Sequence, residues 1–278
     1  MVVVLLVSLT ALALAVFSFY SEATIERSLN EISYIVTQIR AIHSELASIQ
    51  TQVKCGPGEW RRVAYLNMND PSQQCPHNWT ESTYNGSIRT CRRPDSSESG
   101  CASTYYSITK EYSQVCGRAI AYQFISPDGF SGITNINNDI NAAYMDGISV
   151  THGLSPRNHI WSFVAGLSER STTSLQGNNC PCSSAPGSQG PPSFVGGSYY
   201  CESGNPTDSI HQFFSVDKLW DGKQCEGTCC MGNNARNIPW FSVRLPQFTT
   251  SKIEVRICGD ESTSNENTPV ELLEIYVQ

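Results

Sequence analysis

Charge is scarce in this chain. Asp, Glu, Lys and Arg make up 15% of its 278 residues, well below the roughly 25% of ordinary soluble domains. What charge there is does not lean basic, since 25 acidic residues against 18 basic give a formal net charge of −7. Nucleic acid demands a positive footprint, and anionic lipid attracts basic clusters, so this balance argues against both as electrostatic partners. Histidine is sparse too. Beyond residue 54 the chain has His77, His152, His159 and His211, which limits acid–base and zinc chemistry. There is no H-E-x-x-H helix, G-x-S-x-G elbow, Walker loop or dinucleotide fingerprint. The stretch Gly147-Ile148-Ser149-Val150-Thr151 lacks the second glycine of a nucleophile elbow. A triad assembled from residues distant in sequence stays open, but the expectation is that the protein is not an enzyme. No C-x-x-C pair occurs either, so the zinc-knuckle spacing is missing.

The first 54 residues contain no glycine, proline or cysteine, so nothing breaks a helix there. Val2 to Tyr20 are apolar apart from Ser8, Thr10 and Ser18. Nineteen helical residues rise about 28 Å, close to the hydrocarbon thickness of a bilayer. Residues 1–20 are therefore expected to be a transmembrane signal-anchor or a signal peptide. Cleavage after Ala23, or after Ala15, is the alternative to an anchor. Either way the C-terminus lies outside, at the extracellular face of the plasma membrane or secreted. Membrane contact is expected through residues 2–20.

Residues 21–54 predict a coiled-coil stalk. Ile25, Ile32, Ile39, Leu46 and Val53 fall at d, and Leu29, Val36, His43 and Gln50 at a, with spacings alternating four and three. Ile35, Ile42 and Ile49 add a stripe at g. A face that wide suits a trimer or larger bundle better than a dimer, so homo-oligomerisation through residues 25–53 is expected, with a trimer favoured.

What is plentiful lies further on. All twelve cysteines fall between Cys55 and Cys258: Cys55, Cys75, Cys91, Cys101, Cys116, Cys180, Cys182, Cys201, Cys225, Cys229, Cys230 and Cys258. An even count confined to one region predicts a disulfide framework formed in an oxidising compartment. Vicinal Cys229 and Cys230 are expected to bond to different partners. Two glycosylation sequons, Asn78-Trp79-Thr80 and Asn85-Gly86-Ser87, fit the same compartment.

Composition changes at Cys55-Gly56-Pro57-Gly58, so residues 55–278 are expected to form a separate ectodomain. Strand-like runs span Trp60 to Met68, Ala119 to Ile125, Gly147 to Thr151, His159 to Ala165, Phe241 to Leu245, Ile253 to Cys258 and Val270 to Val277. His159 to Ala165 is apolar at both parities, as a central strand is. Ile253-Glu254-Val255-Arg256-Ile257 alternates with charges, as a half-buried strand does. Gly177 to Gly204 predicts an irregular loop held by disulfides. The fold class expected is mainly β, an antiparallel sandwich or jelly roll.

Four places could carry binding. A hairpin centred on Leu154 to Arg157 would set His152 opposite His159, close enough to share a metal, with Asp146 as a third ligand. The run Asn135 to Asn141, with Asn137 and Asp139 at alternate positions, is a candidate calcium loop; Asx-rich turns give the same pattern without an ion. Tyr199, Tyr200 and Trp220 are aromatic candidates for ligand contact, with core packing the competing role, above all for Trp220.

The strings Gly58 to Met68, Asp146 to Gly153, Pro191 to Gly196 with Cys201 to Gly204, and Trp220-Asp221-Gly222 before Cys225 resemble a family of uncharacterised extracellular proteins of early-branching animals. That resemblance spans most of residues 56–278 and implies an ectodomain but no activity. In layout the chain also resembles ficolin-like and collectin-like proteins, with an oligomerising stalk before a disulfide-bonded head. No calcium or acetyl-group site motif of such heads is matched, and no collagen repeat is present. The function expected is an oligomeric recognition or adhesion protein that binds a glycan or an extracellular protein through its C-terminal head. A matrix or cell-coat component and a secreted hydrolase are the alternatives.

Overall fold

In the computed structural model the described residues are 24–42, 44–46, 49, 54–84, 86–125, 127, 129, 140, 145–166, 193–203, 214–219, 240–259 and 261–278. The chain divides into two compact units, Met1–Gly56 and Pro57–Gln278.

In the first unit residues 24–42 and 44–46 are helical. Thr37 turns its hydroxyl back onto Ser33 O at 2.9 Å, and Arg27 lies 3.5 Å from Glu31 one turn on. Ile25, Leu29, Ile32, Ile39 and Leu46 are each 56–60% exposed, and Ile35, Ile42 and Ile49 about as much. The described positions of this heptad-spaced apolar stripe are thus exposed. No described helix is long and apolar enough to cross a membrane. Residues 2–20, His43, Gln50 and Val53 lie outside the described residues.

Among the described residues the second unit has thirteen strands: β1 (Arg61–Asn67), β2 (Thr80–Tyr84), β3 (Ile88–Arg92), β4 (Gly100–Tyr106), β5 (Tyr112–Ile125), β6 (Gly147–His152), β7 (Asn158–Gly166), β8 (Tyr199–Ser203), β9 (Phe214–Leu219), β10 (Trp240–Thr249), β11 (Ile253–Gly259), β12 (Glu266–Asn267) and β13 (Val270–Val277). The domain is mainly β, with antiparallel pairing throughout one sheet and all but one pair of the other. An eight-stranded sheet runs β10-β5-β13-β3-β2, with β1 beside β13 and with β9 and β12 beside β5. A five-stranded sheet runs β4-β11-β6-β7-β8. The exception is the parallel pair β7–β8.

One core serves both sheets. Leu66, Val115, Leu273 and Ile275 of the first pack in the same cluster as Ile148, Val150, Phe163, Val255 and Ile257 of the second. Trp161 of β7 stacks on Phe241 of β10 at 4.3 Å and 11°, joining the sheets through two aromatic faces. β7 lies between β6 and β8, as its two-sided apolar pattern requires.

Two sequence expectations need correction, and one hairpin was missed. β11 is buried along its whole length, not half-buried, with Glu254 at 0% and Arg256 at 5% exposure. It lies inside its sheet, and the alternating charges find partners instead of water. Tyr199 to Ser203, expected in an irregular loop, form β8. The hairpin β2–β3 was not foreseen, because Thr80-Glu81-Ser82-Thr83-Tyr84 offers no apolar alternation and is a strand only by pairing with β3.

Disulfides staple this unit. Cys75–Cys91 ties the segment before β2 to β3. Cys101–Cys258 joins β4 and β11 where the two residues are register partners. Cys55, Cys116 and Cys201 are also disulfide-bonded, and no described cysteine is free. Cys180, Cys182, Cys225, Cys229 and Cys230 lie outside the described residues.

Candidate functional site

Two places gather polar groups: the covered face of the five-stranded sheet, and a cleft beside the β2–β3 hairpin.

On the sheet face, period-two alternation sends Val255 and Ile257 into the core and turns Glu254 and Arg256 the other way. Glu254 is register partner to Thr151, and Arg256 to Ser149. Arg157 reaches Glu254 with Nε at 2.5 Å and Nη2 at 3.3 Å, a two-pronged contact on a fully buried carboxylate. Thr151 adds its hydroxyl at 3.0 Å. Burial pushes the Glu254 pKa up, but hydrogen bonds from Arg157, Ser103 and Thr151, with the Arg157 charge, outweigh it and hold the carboxyl below its ordinary value. Arg256 donates Nη1 to Ile140 O at 2.9 Å.

The two histidines do not face each other. Val150 pairs with Trp161 and Thr151 with His159, so Ile160 is an extra residue, and His152 stands opposite Asn158. The bulge corrects the expected hairpin register by one place. It also brings His159 onto the face of Ser162, three residues on, which a regular strand would place on the opposite side. His159 Nε2 lies 2.9 Å from Ser162 Oγ, and that hydroxyl 3.0 Å from Ser149 Oγ. The His159 ring meets Phe194 edge-on at 6.1 Å. Burial lowers its pKa to about 4, so the imidazole is neutral at physiological pH. Burial also lowers the His152 pKa, and its Nδ1 has no partner among the described residues. Asp146, the imagined third ligand, accepts from Gly129 N at 3.2 Å. Among the described residues no group of three His, Cys, Asp or Glu side chains is placed to hold a metal.

Tyr199 is buried, and Tyr200 points inward, donating its hydroxyl to Trp240 O at 2.8 Å and meeting Trp161 edge-on at 5.5 Å. Both belong to the packing of β8. Trp220, Asn137, Asp139 and Asn85 lie outside the described residues. Asn78 sits exposed in a turn with Nδ2 donating to Ser103 O at 2.8 Å, while its neighbour Trp79 is buried and donates to Ala102 O at 3.1 Å.

The cleft, of ≈ 760 Å³, was not foreseen in the sequence. Register places Thr80 opposite Arg92, Ser82 opposite Thr90 and Tyr84 opposite Ile88, so Ser82, Tyr84 and Arg92 share one face of the hairpin. The loop after β3 brings Asp95, Ser96 and Ser97, and the segment around β12 brings Thr263, Ser264 and Asn267. Phe124 and Pro269 add apolar wall. Tyr84 lies 4.7 Å from the Tyr122 ring, and its hydroxyl donates to Gln123 O, which holds the ring in place. Asn267 is 3% exposed, its Oδ1 accepts from Thr268 N at 3.0 Å, and its Nδ2 has no partner among the described residues. Rings, hydroxyls, an orphan amide and one ion pair suit a ligand that offers hydroxyls and a sugar-like apolar face. The only signal in sequence was a run of small polar residues, Asp95-Ser96-Ser97-Glu98-Ser99, which any exposed turn would show.

No family model, curated protein or solved structure matches this chain. The likeness to an extracellular family of early-branching animals therefore gains no support from comparison, and function rests on the chain's own geometry.

Proposed function

We propose that this chain is an extracellular recognition protein whose β head binds a glycan in the cleft beside β2 and β3. The observation that carries it is the cleft itself, where hydroxyl side chains, Tyr84, Phe124 and Asn267 converge. Sugars bind through such mixtures, since a ring face covers the C–H patch and fixed donors and acceptors read the hydroxyls.

The disulfides are compatible with export. The exposed heptad stripe of the helix supports a coiled-coil stalk, because about nine apolar side chains on one free helix are stable only against copies of themselves. A trimer would present three heads together, and avidity would raise weak single-site binding by orders of magnitude. Two largely antiparallel sheets sharing one core support a sandwich, and the apolar run at residues 2–20 supports a membrane anchor or signal peptide. The Ser162–His159 contact lends little to a hydrolase, since Ser162 is fully buried and no described carboxylate bonds His159.

The test is a glycan array probed with the full chain, exported from a secretory host and checked for oligomer size. Binding to a defined sugar class that is lost in Asn267→Ala and Tyr84→Ala supports the reading. A blank array with the folded oligomer overturns it.

A further inference from the structure

Among the described residues Arg92 is the one cationic side chain lining the cleft. The i,i+3 contact to Asp95 uses Nη1 alone, at 2.5 Å, and Nη1 also donates to Arg93 O at 3.2 Å. The opposite edge of the guanidinium, Nε with Nη2, has no partner among the described residues. That edge is the one which takes a carboxylate with two parallel N–H···O bonds. The Arg92 side chain is 22% exposed against 81% for Asp95, so the cation is partly desolvated while its anchor stands in water. Asp95 engages one side of the fork, and Arg92 itself lines the cleft.

We propose that the cleft selects a carboxylated saccharide, a uronate or sialic-acid residue, with its carboxylate on the Nε–Nη2 edge of Arg92 and its hydroxyls on Asn267 and the serine-rich walls. This rests on the glycan reading and narrows it. A neutral sugar fills the same cleft but leaves the Arg92 edge without a partner. A hydrogen bond to a charged group adds enough to make the carboxylated sugar about ten- to a hundredfold tighter. Asp95 has a second effect. Its charge repels the incoming carboxylate, and because the residue is mostly exposed the repulsion is screened and small.

The test measures calorimetric binding of the full chain to matched pairs, methyl glucoside with methyl glucuronide and methyl galactoside with methyl galacturonide, and to N-acetylneuraminic acid. Wild type is expected to prefer at least one carboxylated sugar by tenfold or more. Arg92→Gln is expected to bring the acidic and neutral partners of that pair to within about threefold of each other. Asp95→Asn, which keeps Arg92, is expected to widen the preference for the acidic sugar about two- to fivefold. Unchanged thermal unfolding of both variants shows that the fold is intact. Neutral sugars bound as well as acidic ones by wild type would overturn this inference and leave the glycan reading standing. Binding of hexaglutamate but of no sugar would overturn both, with a peptide as the occupant. Failure of every probe would overturn both as well.

Discussion

Replacing Arg157 by Gln should destabilise the head by about 3–5 kcal/mol at pH 7, the usual cost of stranding one half of a buried pair. The basis is geometric. Glu254 is 0% exposed, the Arg157 side chain is 18% exposed, and the two share contacts at 2.5 and 3.3 Å. Without the guanidinium, Glu254 retains the Thr151 hydroxyl at 3.0 Å but no described cation within salt-bridge range. A loss of that size is a large share of the roughly 5–15 kcal/mol that holds a typical domain. The pH dependence separates this from a packing defect. In the wild type the Glu254 pKa lies below its ordinary value. Its contribution is therefore present above pH about 4.3, the unfolded carboxyl value, and is lost as pH falls through the folded value. In Arg157→Gln burial dominates and raises the folded pKa above the unfolded one. The variant's contribution from this group is then complete below pH about 4.3 and is lost as pH rises through the folded value, so the sign of the slope inverts. Urea unfolding followed by tryptophan fluorescence at pH 4, 5, 6 and 7 reads both effects. The double variant Arg157→Gln, Glu254→Gln should recover part of the loss at pH 7, since no stranded charge remains. A loss under 1 kcal/mol at pH 7, or parallel pH profiles for wild type and Arg157→Gln, would refute the reasoning.

Other outcomes follow from single contacts. Gly147 has φ +128°, and an added Cβ would fall 2.0 Å from Phe163 O of the paired strand, so Gly147→Ala should cost about 3 kcal/mol, read as a lowered urea midpoint. Cys101–Cys258 spans 157 residues of sequence, so the Cys101→Ser, Cys258→Ser variant should lose about 4–5 kcal/mol on loop entropy, measured by thermal unfolding. His159, with its pKa lowered by burial to about 4, should show no imidazole titration by NMR between pH 5.5 and 8. Its depressed value also makes stability fall as pH drops from about 6.5 toward 4, because the unfolded chain takes up the proton first. Asn78 lies in an exposed turn, so Asn78→Gln should remove one endoglycosidase-sensitive mass step from the exported protein.

The β class and most long strands were legible because they depend on local pattern. His159 to Ala165 is apolar at both parities, and Val270 to Val277 is a run rich in β-branched and aromatic residues, so both were recognisable as strands. The helix beyond residue 23 was legible for the same reason, an unbroken apolar period. β2 escaped notice because its five residues gain order only from β3.

Sequence by itself determined the presence of disulfides among the cysteines, the change of character at residue 55 and the strand-rich head, since each rests on composition or short-range period. Tertiary structure decided everything that depends on register and cover. One extra residue at Ile160 moved His159 away from His152 and onto Ser162. The inner position of β11 turned a half-exposed charge pattern into a buried ion pair. Closure of the β2–β3 hairpin against Thr263, Asn267 and Pro269 made a cleft from residues up to 187 positions apart (Ser82 to Pro269). A side chain's neighbours across a sheet are set by pairing between distant segments, and a shift of one residue in that pairing reverses the face each side chain occupies.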